Sequence, residues 1–316
     1  MEFMTKNLSE YQYLEGEKET ERDKLERGSK YWNDGKWNNF ITPFLPINPT
    51  DKIFIDVGSN AGLFLKFAQD LKFKRVIGIE PHRGAYERSV LYRKKNKFNY
   101  EIIHDEIKNC IDDLPVADVT LLANVHYYFL IDDWFWYIKK LRSKTHYCII
   151  VTAEKRPNAK YAPSDIDGIR NSFKGWEEVG IIDIQKDGTP HSRHLTGLCF
   201  KNPVLDRVPI DSLDNGNAQQ RDFLKQLDQG IHYSRTDYYR RLKDYRKRTS
   251  SRQRIWSEDE LDEYMNERIQ LYHDVKNNGL KHPLKVRTKD MRIVDGNHRH
   301  EIIKYLGDIS IIIEKV

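Results

Sequence analysis

The chain has 316 residues, a formal net charge of +5, 39% apolar residues and 32% charged residues. This length suffices for two domains, each with its own apolar core. Cys110, Cys148 and Cys199 lie far apart without C-x-x-C spacing, so neither a disulfide framework nor a zinc site is expected, and a reducing compartment is favoured. The sequence contains no apolar run of about 18 residues, which excludes a transmembrane helix of ordinary length.

The N-terminal stretch, residues 1–29, is polar and rich in Glu and Lys. We expect a polar arm, either a solvated tail or a lid over a site. Because it contains no apolar signal core, we expect the protein to be cytoplasmic, or to act inside a host cell, and to have no membrane partner. Aromatic residues then recur at helical spacing over residues 37–44, which predicts an amphipathic helix.

A strand, a turn of small residues and a helix are predicted next. Residues 53–57 form a short β-branched and aromatic run, typical of a buried strand, and apolar residues recur at helical spacing after the turn at 58–62. Residues 76–79 predict a second buried strand, which ends at Glu80. The succession predicts a βαβ unit. Its glycines would let a ligand approach the backbone, and a carboxylate at Glu80 suits a ribose diol.

The glycine spacing distinguishes between kinds of cofactor. Gly58-x-x-x-Gly62 is not the G-x-G-x-x-G of dinucleotide sites, since no third glycine follows. Asp56 would repel a pyrophosphate and could favour a cationic ligand that bears an amino acid. Residues 52–64 resemble motif I of the class I S-adenosylmethionine-dependent methyltransferases, and Ile79-Glu80-Pro81 resembles the acidic end of their second strand. The alternative is a βαβ turn that binds no ligand.

This resemblance implies S-adenosyl-L-methionine as the cofactor. The cofactor-binding residues that it implies lie at the ends of the first four strands: Asp56, Gly58, Ser59, Asn60, Gly62, Glu80, Pro81, Asp105, Glu106 and Asn124. Asp105 and Glu106 follow a third predicted strand at 100–104, where the family contacts the adenine amino group. Exposed loop carboxylates are the alternative for these two residues.

Four further strands are predicted, at residues 117–123, 147–152, 176–184 and 194–200. The last two form a hairpin that resembles the antiparallel seventh strand of class I methyltransferases. The resemblance therefore covers a domain at residues 30–203. It implies an α/β fold with a doubly wound, seven-stranded Rossmann-like sheet.

The residues after the fourth predicted strand are the candidates for catalysis. In the resembling family this strand end faces the sulfonium methyl group, and methyl transfer needs mainly alignment of the reactants. A base is needed only for an acceptor that is protonated at neutral pH, and we predict His126 in that role, with Asn124 beside it. A structural histidine is the alternative. Neither an Asn/Asp-Pro-Pro-Tyr/Phe tetrad nor a Pro-Cys pair is present here, which argues against adenine-N6 and cytosine-C5 methylation of DNA.

A basic segment marks the second half of the chain. Residues 204–234 are rich in helix breakers and are predicted to be a linker and the start of a second domain. Residues 235–256 carry nine Lys or Arg and two Asp, interleaved with Tyr238, Tyr239 and Tyr245. The pattern favours phosphate contacts and base stacking with nucleic acid, or else a solvated basic helix.

The C-terminal part, residues 235–316, predicts a smaller α+β domain with the basic segment as an insertion. It resembles the ParB/sulfiredoxin-like fold, over about residues 206–316, in three places: Gly279-Leu280…Pro283-Leu284, the turn Asp295-Gly296-Asn297-His298-Arg299, and Tyr305-Leu306-Gly307. In that family the turn opens a helix and binds nucleotide phosphates. Backbone N–H groups, the helix dipole and an arginine all favour an anion there.

Asp295, Gly296, Asn297, His298 and Arg299 are therefore the predicted nucleotide or phosphate site, and no metal ligands are predicted. The alternative is that Asp295 and His298 only cap the helix. The turn contains no cysteine of the sulfiredoxin type, so redox repair is not expected.

Together these features predict a methyltransferase acting on a nucleotide, nucleic acid or other phosphate-bearing acceptor, with a ParB-like domain that binds nucleotide or phosphate. The alternative is a nucleotide- or DNA-binding ParB-like protein whose methyltransferase-like domain senses the cofactor or serves as a scaffold.

Overall fold

The computed structural model describes residues 35–153, 160–184, 195–213, 218–248, 257–308 and 310–316. The chain forms two compact units, Met1–Leu205 and Asp206–Val316. The predicted arm at 1–29 lies outside the described residues. Among the residues described, no helix is long and apolar enough to cross a membrane.

The first unit is built on one seven-stranded sheet. Its strands are β1 (Ile53–Val57), β2 (Arg75–Ile79), β3 (Glu101–Ile103), β4 (Ala117–Ala123), β5 (Thr145–Ala153), β6 (Glu177–Ile184) and β7 (Leu195–Lys201). The order across the sheet is β3-β2-β1-β4-β5-β7-β6. β7 runs antiparallel to β5 and β6, while β1 to β5 pair in parallel. The predicted α/β fold with a seven-stranded Rossmann-like sheet is confirmed.

Helices cover both faces of this sheet. They are α1 (Leu63–Asp70), α2 (Arg83–Asn96), α3 (Ile107–Cys110), α4 (Ile131–Leu141) and α5 (Ile166–Ser172). Side chains of a strand alternate between the two faces. Phe54 accordingly packs with Trp37 in one apolar core, whereas Ile55 packs with Trp134 of α4 in the other.

The helix predicted at residues 37–44 is split in the structure. A π-helical turn, Trp37–Ile41, is followed by a 3-10 turn, Thr42–Phe44. Pro43 lies at the start of the second turn, and its ring and missing N–H are incompatible with a continuous α-helix. Trp37 is buried and stacks on Phe64 with 5.9 Å between ring centroids, so this segment covers the sheet beside α1.

The second unit combines four helices with a four-stranded sheet. The helices are α6 (Ala218–Asp228), α7 (Asp237–Arg248), α8 (Glu258–Asn278) and α9 (Asn297–Tyr305). The strands are β8 (Leu205–Pro209), β9 (Leu284–Arg287), β10 (Arg292–Asp295) and β11 (Ser310–Lys315), in the order β10-β9-β11-β8. β10 is antiparallel and β11 parallel to β9. A capping box of Ser257 and Glu260 begins α8.

The segment predicted as a linker and the start of a second domain, 204–234, contains β8 and α6. Phe223 and Leu224 of α6 are buried in the apolar core of the second unit. The helix α6 was not predicted, because it has few apolar residues and they form only a narrow stripe within a segment rich in helix breakers. The segment therefore belongs to the folded body of the second unit.

Candidate functional site

The turn at residues 58–62 follows β1 and is closely packed. Gly58 and Gly62 both have positive φ, +73° and +87°. A Cβ on Gly58 would clash with Val125 Cγ2 and lie 2.9 Å from Val125 Cβ, and one on Gly62 would lie 2.9 Å from Tyr100 Oη. Both glycines are thus required by backbone conformation and by neighbouring side chains. On the side where a Cβ would project, each glycine is packed against a neighbouring side chain, Val125 for Gly58 and Tyr100 for Gly62.

Glu80, at the end of β2, holds this turn in place. Its side chain is 6% exposed. Oε2 accepts the N–H of Asn60 at 2.8 Å, and Oε1 accepts the N–H of His82 at 2.7 Å. Burial raises the pKa of Glu80, and the two backbone N–H bonds oppose that rise. Each carboxylate oxygen retains a further lone pair, so Glu80 can also accept a bond from a ligand hydroxyl.

Three buried oxygen atoms lie at the adjoining ends of β1 and β4. They are Asp56 Oδ2, Ser59 Oγ and Asn124 Oδ1, and none has a hydrogen-bond partner among the described residues. β1 and β4 are neighbours, with Asp56 opposite Leu121. Leaving a buried polar atom unsatisfied costs about 1–3 kcal/mol. A ligand with several N–H or O–H donors would remove this cost.

Asp56 has an unusual electrostatic environment. It is 1% exposed, and burial, followed by the negative charge of Glu80, raises its pKa well above the usual range. A cationic ligand would offset both effects, because it supplies a positive charge and donors to a buried carboxylate. The arrangement favours a positively charged group at this place.

The carboxylates predicted at the end of β3 are more exposed. Asp105 Oδ1 accepts bonds from the Glu106 N–H and from Asn109 Nδ2, both at 2.7 Å. These bonds, that from Asn109 first, lower the pKa of Asp105. Glu106 pairs with Lys108 at 2.7 Å. Pro81, after β2, is exposed.

A pair of stacked rings beside these residues was not predicted. Tyr86 of α2 and His104, which follows β3, have centroids 4.6 Å apart and ring planes 15° apart. The Glu80 N–H donates to Ile103 O at 3.0 Å, and Asp105 directly follows His104, so the stacked rings lie beside both carboxyl-bearing residues. Two aromatic residues in separate elements form no spacing pattern, so sequence reasoning had no signal for this pair.

The predicted catalytic residues lie at the end of β4. Asn124 has a φ of +57°, and His126 begins a 3-10 turn, His126–Tyr128. His126 is fully buried, with its ring 5.1 Å from that of Tyr127 and 5.9 Å from that of Trp134. A fully buried ring that packs on Tyr127 and Trp134 agrees with the alternative given above, that His126 is a structural histidine.

The turn at residues 295–299 lies in the second unit, before α9. Gly296 has a φ of +101°, and a Cβ there would lie 2.5 Å from Leu284 Cδ2. Arg299 donates to His282 O at 3.0 Å and to Pro283 O at 3.3 Å, and it pairs with Asp295 at 3.0 Å. Arg299 therefore already has three acceptors, and it fastens the start of α9 to the preceding loop.

The first turn of α9 has no side-chain cap. The capping alternative for Asp295 and His298 is therefore not observed in the part of the chain described. Burial, and then the positive charge of Arg268, lower the pKa of His298 to about 4. The ring of His298 is thus neutral at pH 7 and can still donate one N–H.

The tyrosines of the basic segment lie against the protein. Tyr238 and Tyr239 are each 8% exposed, and Tyr239 Oη donates to Asp262 at 2.9 Å. Arg240 pairs with Asp237 at 2.7 Å. The prediction that these two tyrosines stack on bases is wrong for this structure, because their rings belong to the core of the second unit. Residues 249–256 and the side chain of Tyr245 lie outside the described residues.

No family model matches the sequence. A search of curated proteins finds no match either.

Solved structures similar to this chain include two proteins described as methyltransferases and TehB. One is the N-methyltransferase NodS from Bradyrhizobium japonicum WM9, with 17% identity over 48% of this chain and 86% of that chain, and a TM-score of 0.40. Magnesium protoporphyrin IX methyltransferase from Synechocystis PCC 6803, solved with bound S-adenosylmethionine, has 14% identity over 48% and 70%, with a TM-score of 0.38. TehB from Haemophilus influenzae has 15% identity over 49% and 58%, with a TM-score of 0.39.

Proposed function

We propose that the protein is an S-adenosylmethionine-dependent methyltransferase, with its cofactor site at the carboxyl ends of β1, β2 and β4. The observation that carries this proposal is the set of three buried oxygen acceptors, Asp56 Oδ2, Ser59 Oγ and Asn124 Oδ1. An amino-acid ammonium group has three donors and a positive charge, so it would satisfy these atoms together. The carboxyl ends of an open α/β sheet are also where such folds bind ligands.

When bound, S-adenosylmethionine supplies a methyl group that its sulfonium already activates. Asp56, Ser59 and Asn124 would hold the ammonium end. Glu80 keeps the turn closed through Asn60 and can accept a ribose hydroxyl. The stacked rings of Tyr86 and His104 offer an aromatic face to an adenine, near Asp105.

For the acceptor, we propose a nucleotide, a nucleic acid or another phosphate-bearing molecule. Support comes from the turn at 295–299, whose helix begins without a side-chain cap and whose resemblance to the ParB-like turn implies phosphate binding. His126 fits a general base poorly, because its ring is fully buried.

A second candidate function is cofactor sensing or scaffolding by the first unit, with nucleotide binding by the second. The burial of His126 favours this candidate, since it takes the predicted base away from any acceptor. The two candidates differ in one observable, the conversion of S-adenosylmethionine to S-adenosylhomocysteine.

The test is to incubate the full chain with S-adenosylmethionine and a panel of acceptors. The panel contains mononucleotides, a single-stranded RNA, a single-stranded DNA and a sugar phosphate. We expect S-adenosylhomocysteine to form with at least one acceptor, and the Asp56→Asn variant to form much less. If the cofactor binds but no acceptor yields product above the background without acceptor, the sensing or scaffolding function is favoured.

A further inference from the structure

We propose that Arg268 of α8 is the cation of an anion-binding site in the second unit, and that the anion is a phosphate group. The inference rests on the proposed phosphate binding by the turn at 295–299. It differs from the sequence prediction because it assigns the binding charge to Arg268 instead of Arg299.

Arg268 is an arginine without an acceptor. Its side chain is half-buried, and its Nε is buried without a hydrogen-bond partner among the described residues. The guanidinium carbon lies 4.6 Å from the ring centroid of Tyr264, so the group is held against an aromatic face. No carboxylate pairs with it in the part of the chain described. A half-buried charge without a partner is partly removed from water, and an incoming anion would offset the cost of that burial.

The other arginines near α9 already have acceptors. Arg221 of α6 forms an ion pair with Glu301, with 3.2 Å between Nε and Oε2, although neither atom makes a hydrogen bond among the described residues. Arg299 has two carbonyl acceptors and Asp295. Both of these arginines pair with a carboxylate, whereas no carboxylate pairs with Arg268 among the described residues. An anion would therefore gain most from Arg268.

Arg268 also lies close to the start of α9. The ring of His298 is 6.4 Å from that of Tyr264, and the charge of Arg268 acts on His298. Backbone N–H groups and the positive end of the helix dipole favour an anion at this end of α9. The neutral His298 ring adds one donor without adding charge. Arg268, His298 and the start of α9 are thus neighbours, with one charge and several donors among them.

Acidic residues on the opposite face of α8 restrict the side of this helix on which an anion can bind. At 100° per residue, Arg268 and Tyr264 share one side of the helix, while acids occupy the other. A cleft on that other side is lined by Asp259, Asp262, Glu263, Asn266, Glu267 and Gln270. These carboxylates would repel a phosphate, so the anion is confined to the side of α8 that faces α9.

The test is calorimetric titration of the full chain with inorganic pyrophosphate. The variants are Arg268→Met, Arg268→Lys and the control Arg287→Met. Arg287 suits the control because its side chain is 46% exposed and pairs only with Asp290 among the described residues. We expect wild type and Arg287→Met to bind alike, Arg268→Met to bind about tenfold or more weakly, and Arg268→Lys to retain part of the affinity.

A second measurement separates binding from a structural role. In buffer without phosphate, the Tm of Arg268→Met should equal or exceed that of wild type, because the variant removes a half-buried charge that has no carboxylate partner among the described residues. A lower Tm would assign Arg268 to structure and overturn the proposal.

Three other outcomes are distinguishable. Pyrophosphate binding that survives in Arg268→Met but is lost in Arg299→Met keeps the phosphate site and overturns the assignment to Arg268. Failure of the wild type to bind pyrophosphate overturns both the assignment and the phosphate site. S-adenosylmethionine binding by the same samples reports separately on the first unit.

Discussion

Replacing Gly58 with alanine tests how the site turn is held. The residue has a φ of +73°, which costs a side-chain-bearing residue about 1–2 kcal/mol. The new Cβ would also clash with Val125, lying 2.9 Å from its Cβ, and overpacking of this kind adds about 1–3 kcal/mol. We therefore expect Gly58→Ala to lower the free energy of unfolding of the first unit by about 2–5 kcal/mol in urea titrations.

Gly175→Ala is the matched control in the same unit. Its φ is +86°, but a Cβ there would first meet Arg142 Nη2, the end of a flexible side chain. The control should lose about 1–2 kcal/mol from the backbone conformation, and about 1 kcal/mol more if moving Arg142 Nη2 breaks its bond to Lys174 O. A double-mutant cycle with Val125→Ala should recover the overpacking part. If Gly58→Ala loses no more than Gly175→Ala, Val125 does not pack on the turn in solution and the description of the site is wrong.

Three further substitutions test other contacts described above. The raised pKa of Asp56 means that the folded protein binds more protons than the unfolded chain above about pH 4, so stability should fall as the pH rises towards neutrality. Asp56→Asn should reduce this slope in urea titrations between pH 5 and 8, and an unchanged slope would contradict the burial of an ionisable Asp56. Arg299→Met should cost the second unit about 1–3 kcal/mol, because it leaves the carbonyls of His282 and Pro283 without their donor; a loss as small as that of an exposed ion pair, below about 1 kcal/mol, would show that these bonds are weak. Tyr239→Phe should cost about 1 kcal/mol through loss of its bond to Asp262, without changing retention on single-stranded DNA. If Tyr239→Phe were as stable as wild type but retained less strongly on single-stranded DNA, Tyr239 would contact nucleic acid after all.

The sheet of the first unit was predictable because its strands are short apolar runs between breakers. Residues 53–57 and 117–123 coincide with β1 and β4, and the hairpin before Lys201 was found within one or two residues. Buried parallel strands are apolar on both faces, so their signal survives without tertiary information. α3 and α5 were missed because four and seven residues give too few turns for a periodic pattern.

The site was harder to predict because residue type does not reveal which partners a side chain meets. Glu80 could be placed at a strand end, but not its two backbone bonds. Arg299 matched a motif, yet its acceptors come from the loop at 282–283, which only the fold brings near. Tyr238 and Tyr239 looked like exposed aromatics in a basic segment, although α7 turns both into the core. Burial on one helix face is decided by neighbouring elements and not by local charge.

The most direct test of the central claim is calorimetric titration of S-adenosylmethionine into the full chain, in wild type and in Asp56→Asn. We expect one molecule of S-adenosylmethionine to bind per chain in wild type. We expect Asp56→Asn to bind S-adenosylmethionine at least about tenfold more weakly, because a neutral amide loses the charge-assisted bond to the ammonium group. No binding by folded wild type, or equal binding by a folded Asp56→Asn variant, would contradict the placement of the cofactor at the ends of β1 and β4.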